Sequence, residues 1–107
     1  MNQNDDCPIA TTLDVIGGKW KVYILCVLMD GKMRTNEIKR EIPNLTQKVL
    51  TQQLRQLEAD GIIHRTVYQE VPPKVEYTIS EHGKSLMHIM NELFEWGKDH
   101  QMKRLND

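Results

Sequence analysis

The fold of this chain is decided by residues 46–77, which read TQKVLTQQLRQLEADGIIHRTVYQEVPPKVEY. They begin with an amphipathic segment, pass through Gly61, and end in two runs rich in β-branched residues that are joined by Val71-Pro72-Pro73-Lys74. An amphipathic helix that is followed directly by a β-hairpin is typical of a recognition helix and its wing. The stretch therefore favours a module that binds DNA.

The amphipathic segment has a helical period. Leu50, Leu54 and Leu57 recur at i, i+4 and i+7, which places them on one apolar stripe. Thr46 is a suitable N-cap residue and Gly61 a suitable C′ residue. The spacing therefore predicts a helix over residues 47–60.

The opposite face of this helix carries Lys48, Thr51, Gln52 and Arg55. Arg and Lys can bond phosphates or guanine, Gln can bond adenine, and Thr can bond several base edges. A helix that needs only a solvated surface carries the same residue types, so this pattern alone leaves both interpretations open.

A second, shorter helix is predicted just upstream, over Arg34 to Ile42. Ile38 and Ile42 are four positions apart, and Pro43 follows them. Only residues 43–45 separate this helix from the next one, which suits a helix-turn-helix connection.

The β-branched runs, 62–68 and 74–79, predict a hairpin. Pro72 and Pro73 fix φ and remove two N–H donors, so the tip of the hairpin should be stiff. Lys74 beside the tip could reach a phosphate or the minor groove. Arg65 could support the same contact, or it could pair with Glu76 across the hairpin.

Several of these segments resemble one family. The segments are LTQQLRQLEADGII at 50–63, YQEVPPKVEY at 68–77, Cys7-Pro8, and Gly18-Lys19-Trp20. Together they resemble the HxlR-type, MarR-like winged helix-turn-helix regulators over about residues 7–97. Thr35 departs from the pattern, because the family usually has Phe at this place.

The resemblance implies a mainly α fold with a small β-hairpin wing (α+β), in which extra helices at both termini form a dimer. It also implies a bacterial homodimeric transcription factor that binds inverted repeats in double-stranded DNA. Some members sense electrophiles or oxidants through the amino-terminal cysteine. We assign DNA binding to Arg34, Thr46, Gln47, Lys48, Thr51, Gln52, Arg55, Arg65 and Lys74.

Net charge alone does not favour a nucleic-acid partner, since the formal total is -1 and the pI is about 6.4. The charges are unevenly distributed, however. Residues 32–55 contain six Lys or Arg and two Glu, an excess of four positive charges. A basic face of this kind predicts DNA binding that depends strongly on salt. The alternative is a winged-helix module that binds a protein through the same face.

Length and composition predict one domain over residues 1–107. The first six residues lack the features of a signal peptide, and no apolar run approaches the length that spans a membrane. We therefore expect a cytoplasmic protein with no membrane partner.

The remaining segments are expected to supply scaffold and dimer interface. A first helix should carry Ile9, Leu13 and Ile16 and end at Gly17-Gly18. Residues 20–29 should form a buried central helix that stops at Gly31. Ser80 should cap a long final helix with Leu86, Met90, Leu93 and Gly97 on one stripe, which Phe94 and Trp96 widen.

A domain of this size has too little core to cover both terminal helices, so we predict that a two-fold axis pairs them with a second subunit. The alternative is that the last helix folds back on its own domain. The predicted interface comprises Ile9, Leu13, Ile16, Met90, Leu93, Phe94 and Gly97.

Cys7 precedes Pro8, a residue favoured at the first position of a helix. The helix dipole would there favour the reactive thiolate, whereas Asp5 and Asp6 would disfavour it. An ordinary surface cysteine and a redox sensor, which responds to a small electrophile or oxidant, both remain open. Cys26 lies in an apolar run and should be buried.

Enzyme and metal sites are not indicated. The four histidines lack ligand spacing, the two cysteines have no C-x-x-C motif, and the chain has neither a Gly-rich phosphate loop nor a nucleophile elbow. We therefore predict neither catalysis nor a cofactor. The six methionines could line an effector pocket, but methionine more often fills gaps in a core.

Overall fold

A computed structural model describes residues 7–106. The helices are α1 (Pro8–Ile16), α2 (Lys21–Leu28), α3 (Thr35–Glu41), α4 (Gln47–Ala59), α5 (Glu81–Lys84) and α6 (Met87–Asn106). The strands are β1 (Met33–Arg34), β2 (Ile63–Tyr68) and β3 (Lys74–Ile79). This mainly helical chain with its small antiparallel sheet confirms the predicted winged helix-turn-helix fold.

The helix-turn-helix consists of α3 and α4. Glu37 accepts a hydrogen bond from the backbone N–H of Arg34 (2.8 Å), which stabilises the first turn of α3. Thr46 Oγ1 accepts one from the N–H of Val49 (3.2 Å), so Thr46 caps α4 as the sequence predicts. Gly61 has φ +74°, and this left-handed conformation, which favours glycine, ends the helix.

The sheet has the strand order β1-β3-β2, with both pairs antiparallel. The hairpin of β2 and β3 agrees with the predicted one, whereas β1 was not predicted. Met33 pairs with Tyr77 and Arg34 with Glu76. Strand β1 has only two residues, too few for any alternation to be visible in the sequence.

The core is formed by aliphatic side chains from nearly every element. Leu50, Leu54 and Leu57 of α4 face it, as their spacing predicts. The other buried members are Ile16, Ile24, Leu25, Leu28, Ile38, Ile42, Leu45, Ile62, Ile63 and Met90. Burial of this stripe fixes which face of α4 is turned outward.

The central helix α2 is less enclosed than predicted. Ile24, Leu25 and Leu28 are buried, but Tyr23 and Cys26 are exposed, as is Met29 directly after the helix. The prediction that Cys26 is buried is therefore wrong. A helix that is apolar nearly all round lacks a polar stripe, so the sequence does not show which face stays uncovered.

The predicted final helix is divided in two. Ser80 caps α5 and not α6, with its hydroxyl accepting from the N–H of Gly83 (2.9 Å). The N–H groups of Ser85 and Leu86 bond three residues back, to His82 and Gly83, at 3.1 and 3.0 Å. These tight turns interrupt the α-helix before α6 begins at Met87.

Candidate nucleic-acid interface

The outward face of α4 carries the side chains that the sequence predicted to meet DNA. Lys48, Gln52 and Arg55 are exposed, and they lie opposite the three buried leucines. Within the described residues, none of these three forms an ion pair or a side-chain hydrogen bond. Their donors are therefore available to phosphates and base edges.

Gln47 and Thr51 lie one turn apart on α4 and bond to each other. The Thr51 hydroxyl donates to the backbone carbonyl of Gln47 (2.9 Å), and the Gln47 amide lies 3.3 Å from the same hydroxyl. Thr46 is exposed and uses its hydroxyl as the helix cap. These three residues lie at the amino-terminal end of the same helix, but their polar groups already have partners in the chain.

The remaining predicted contacts lie on other elements. Arg34 is exposed at the junction of β1 and α3. Arg65 is exposed on β2, where its register partner is Tyr77. The alternative pairing of Arg65 with Glu76 is therefore wrong, because Thr66 lies opposite Glu76 and adjacent residues of a strand point to opposite faces.

Lys74, beside the tip of the wing, is half-buried. Its ammonium nitrogen lies 3.5 Å from Glu76 Oε2 and 5.0 Å from the ring centre of Tyr68. Tyr68 is the register partner of Lys74 in β2, so the sheet itself brings the cation to the ring. The tip beyond Lys74 is open, and Val71 there is fully exposed.

Glu76 and Lys32 lie close to Lys74 and Arg34, although neither was among the predicted contacts. Lys32 Nζ lies 3.8 Å from Glu76 Oε1. Both residues line a polar cavity of about 410 Å³ together with Arg34, Asn36, Glu37 and Arg40. The positive excess over residues 32–55 indicated this region, but only the register of β1 and β3 brings Lys32 to Glu76.

The pKa values of two residues of the hairpin reflect this arrangement. Desolvation raises the pKa of Glu76, but the interaction with Tyr68 and the charges of Lys74 and Lys32 outweigh it, so the pKa is lowered overall. Hydrogen bonding to the Glu76 carboxylate, and then its negative charge, raise the pKa of Tyr68. The carboxylate is therefore charged at neutral pH beside two cations.

Cys7 is exposed and occupies the N-cap position of α1, with Pro8 as the first helical residue, as the sequence predicts. Its side chain makes no capping hydrogen bond within residues 7–106. Asp5 and Asp6, which would oppose its ionisation, lie outside the described residues.

Cys26 borders an apolar cavity of about 280 Å³ between α2 and α6, with Tyr23 and Phe94 among its lining residues. Partial burial raises the pKa of its thiol, which disfavours the reactive thiolate. In the described part of the chain both cysteines are free thiols.

The predicted dimer residues differ in how exposed they are. Ile16 and Met90 are only 5% and 6% exposed, because both pack into the core of their own domain, and they leave little surface for a partner. Ile9 and Leu13 on α1, and Leu93 and Phe94 on α6, are exposed. Gly97 is half-buried on α6.

The described residues contain neither a cluster of metal ligands nor a helix suited to crossing a membrane. No group of three or more His, Cys, Asp or Glu within residues 7–106 could hold a metal ion. None of the helices in this range is both long and apolar enough to cross a membrane.

Comparison of the sequence and of the structure with known proteins finds helix-turn-helix transcriptional regulators. Residues 15–105 match the family described as HxlR-like helix-turn-helix. Over 92 residues the chain is 62% identical to the uncharacterized HTH-type transcriptional regulator YtcD of Bacillus subtilis (strain 168), an alignment that spans 86% of this chain and 73% of YtcD. The crystal structure of ytcD is similar with a TM-score of 0.82 and 60% identity, covering 87% of this chain and 95% of that one.

Two further solved structures show regulators in their reduced forms. The redox regulator HypR in its reduced form has a TM-score of 0.88 and 50% identity, over 94% of this chain and 99% of that one. The reduced form of the transcriptional regulator YodB from B. subtilis has a TM-score of 0.77 and 38% identity, over 84% and 89% of the two chains.

Proposed function

The chain belongs to the HxlR-like helix-turn-helix family, and from this premise we propose that it binds an inverted-repeat operator as a homodimer and that the thiol of Cys7 controls this binding. It is a transcriptional regulator with a helix-turn-helix domain, and it is not an enzyme.

The observation that carries the proposal is the outward face of α4. Lys48, Gln52 and Arg55 are exposed and free of partners within the described chain, while the opposite stripe of leucines holds the helix in the core. A rigid helix with unpaired donors on its outer face can enter the major groove. Gln52 and Arg55 are assigned to base edges and Lys48 to a phosphate.

Further contacts come from the flanks of α4. Arg34, Arg65 and Lys74 are assigned to the phosphate backbone, because cations on a wing meet the strands beside the groove that the helix occupies. Thr46, Gln47 and Thr51 are assigned to the part of the interface around the amino-terminal end of α4. Their internal hydrogen bonds orient these polar groups before DNA arrives.

A homodimer is supported by the apolar residues that remain uncovered on the two terminal helices. Ile9 and Leu13 on α1, with Leu93 and Phe94 on α6, form the exposed apolar faces, and Gly97 allows close approach of a second backbone. A two-fold axis would place two α4 helices on one side of DNA. The half-sites should then lie about 10 bp apart, or a multiple of it.

The DNA assignment is tested with duplexes selected for binding from a randomised pool. Enrichment of two inverted half-sites is expected. Arg55→Ala and Gln52→Ala should each weaken binding by about 1–3 kcal/mol and relax specificity at one position. Arg104→Ala and Gln101→Ala change the same residue types on the exposed surface of α6 and should bind as the parent does.

If Arg55→Ala and Gln52→Ala bind the selected duplex as tightly as the parent, α4 is not the reading helix. Salt dependence separates DNA from a protein partner on the same face. Contacts to phosphates require a steep fall of affinity with salt, whereas a flat dependence would favour the protein-binding alternative.

The sensing role of Cys7 is supported by its position and by the relatives. The thiol is exposed at the amino-terminal end of a helix, next to the apolar face that we assign to the dimer. HypR is known as a redox regulator, and a structure of YodB exists after treatment with diamide. Diamide takes two electrons and two protons from two thiols, here Cys7 and Cys7 of the partner subunit, and joins their sulfurs in a disulfide. A disulfide beside the interface would change how the two α4 helices are spaced.

The test compares two single-cysteine variants. Diamide should change the affinity of the parent protein and of Cys26→Ser for the selected duplex, and it should leave Cys7→Ser unaffected. Cys26→Ser is the matched control, because it removes the other thiol of the chain. A response of Cys7→Ser equal to that of the parent would exclude Cys7 as the switch.

A further inference from the structure

Glu76 is a buried carboxylate in the middle of the wing. It lies in β3, the central strand of the sheet, and is only 8% exposed. Its Oε1 has no hydrogen-bond partner among the described residues. Burial of a charged group is costly unless ionic partners compensate it, so the Glu76 carboxylate requires cations nearby.

Its ionic partners are two lysines, one from the segment before β1 and one from β3 itself. Lys32 precedes β1 and approaches Oε1 to 3.8 Å, and Lys74 of β3 approaches Oε2 to 3.5 Å. Lys74 is also held over the Tyr68 ring. One carboxylate thus gathers two flexible side chains from segments that are about 40 residues apart in the sequence.

The lysines keep donors that Glu76 does not use. An ammonium group has three N–H donors. Each lysine faces a single oxygen of Glu76, so at least two of its donors point elsewhere. Lys32 is largely exposed, and the polar cavity that it lines with Glu76 also contains Arg34 and Arg40. A lysine that is ordered in advance loses less side-chain entropy when a phosphate arrives.

We infer that Glu76 is a positioning residue for DNA binding, which holds the ammonium groups of Lys32 and Lys74 where both meet the phosphate backbone of one duplex. The inference rests on the proposed function, in which Lys74 of the wing contacts DNA. It adds Lys32 to the phosphate contacts and gives a role to the buried acid.

Two effects of opposite sign make the inference testable. A negative charge near DNA repels phosphates, so its simple removal should strengthen binding. Loss of positioning should weaken binding. We expect Glu76→Gln to weaken binding to the selected duplex by at least about threefold, because coupling between residues in contact is commonly of this size or larger. The affinity should also depend less steeply on salt, since fewer phosphates are neutralised.

The matched control is Glu70→Gln. Glu70 is an exposed acid in the loop of the same wing and makes no ion pair within residues 7–106. Its substitution removes the same charge and should leave the affinity unchanged or slightly higher. If Glu76→Gln behaves like Glu70→Gln, the inference is overturned.

A double-mutant cycle links the acid to the lysine. Lys74→Ala should weaken binding in the parent protein and lower the salt slope by about one. In the Glu76→Gln background the same substitution should have a much smaller effect. Equal effects in both backgrounds would show that Lys74 acts independently of Glu76 and would contradict the inference.

The amide NMR signals of β2 and β3 show whether Glu76→Gln disturbs the hairpin. If it does, Glu76→Asp provides the test. Aspartate keeps the charge and shortens the side chain, so positioning predicts weaker binding and electrostatics alone predicts the parent affinity. Failure of the proposed function looks different, because Arg55→Ala would then also leave binding unchanged. A parent that depends on Arg55 but not on Glu76 contradicts this inference alone.

Discussion

The hydroxyl of Ser80 connects the segment that follows α4 with the segment that follows the wing. It donates to the carbonyl of Gly61 (2.6 Å), lies 3.0 Å from that of Ile62, and accepts from the N–H of Gly83 (2.9 Å). Ser80 is buried, so water cannot replace these bonds. A single side chain therefore helps to set how the recognition helix sits relative to the wing.

Ser80→Ala should reduce the free energy of unfolding by about 1–3 kcal/mol, because buried polar groups lose their partner. Urea or thermal unfolding measures the change. Ser85→Ala is the control, since Ser85 is exposed and its hydroxyl bonds only to its own turn. Equal losses in the two variants would contradict the role of Ser80.

Gly83 shows a requirement that the sequence does not reveal. A Cβ at this position would lie 2.1 Å from the carbonyl oxygen of Ile62. The close approach arises from the packing of α5 against the start of β2, two segments that are about 20 residues apart. A glycine within a pattern of helix formers is locally unfavourable, and only the tertiary contact gives the reason for it.

Among the elements, α4 was the most predictable. Its start, its end and its buried stripe all follow from local chemistry: the Thr46 cap, the left-handed Gly61 and the spacing of three leucines. The hairpin was predictable for a similar reason, because two β-branched runs flank a proline-containing loop. Each of these signals acts within a few residues, where the sequence is sufficient.

Thr46→Ala should destabilise the protein by about 1 kcal/mol, because the N–H of Val49 loses its capping acceptor. Thr46→Ser keeps an oxygen at the same place and should remain close to the parent. Urea unfolding compares the two variants without DNA, which separates the cap from any role in binding. Equal stability of Ala and Ser would show that the cap contributes nothing.

Other elements depend on backbone hydrogen bonds that caps, turn residues and periodicity do not reveal. Strand β1 exists because Met33 and Arg34 pair with Tyr77 and Glu76. The break between α5 and α6 follows from the tight turns after His82 and Gly83. In the first case strand pairing makes a strand of residues that have no strand pattern. In the second case the turn hydrogen bonds interrupt a segment whose residue pattern is helical throughout.

The described part of the chain is more extended than a compact domain. Its radius of gyration is 15.8 Å, whereas a globular chain of this length is expected near 13 Å. Leu13 is 57% exposed and Phe94 64% exposed, although both are large and apolar. An extended shape with uncovered apolar helices favours association with a second copy.

Leu13→Glu and Phe94→Glu should each disrupt the proposed dimer and leave a monomer, because a buried unpaired charge at an interface is strongly unfavourable. Sedimentation or light scattering measures the mass. Val71→Glu is the matched control, since Val71 is an exposed apolar residue at the wing tip and should leave the mass unchanged. A dimer that persists in both α1 and α6 variants would place the interface elsewhere.

The sequence by itself determined the recognition helix, its outward residues and the hairpin, because caps, periodicity and turn residues act over short distances. The family was indicated separately, by the resemblance of several motifs. The tertiary structure decided what depends on pairing between distant segments. The register of the sheet placed Glu76 on the opposite face from Arg65 and brought Lys32 to it. Lys74 lies beside Glu76 for a local reason, because residues i and i+2 of one strand share a face. Packing placed Ile16 and Met90 in the core and left Cys26 exposed. The type of an apolar or charged residue does not show which distant segment will cover it or pair with it.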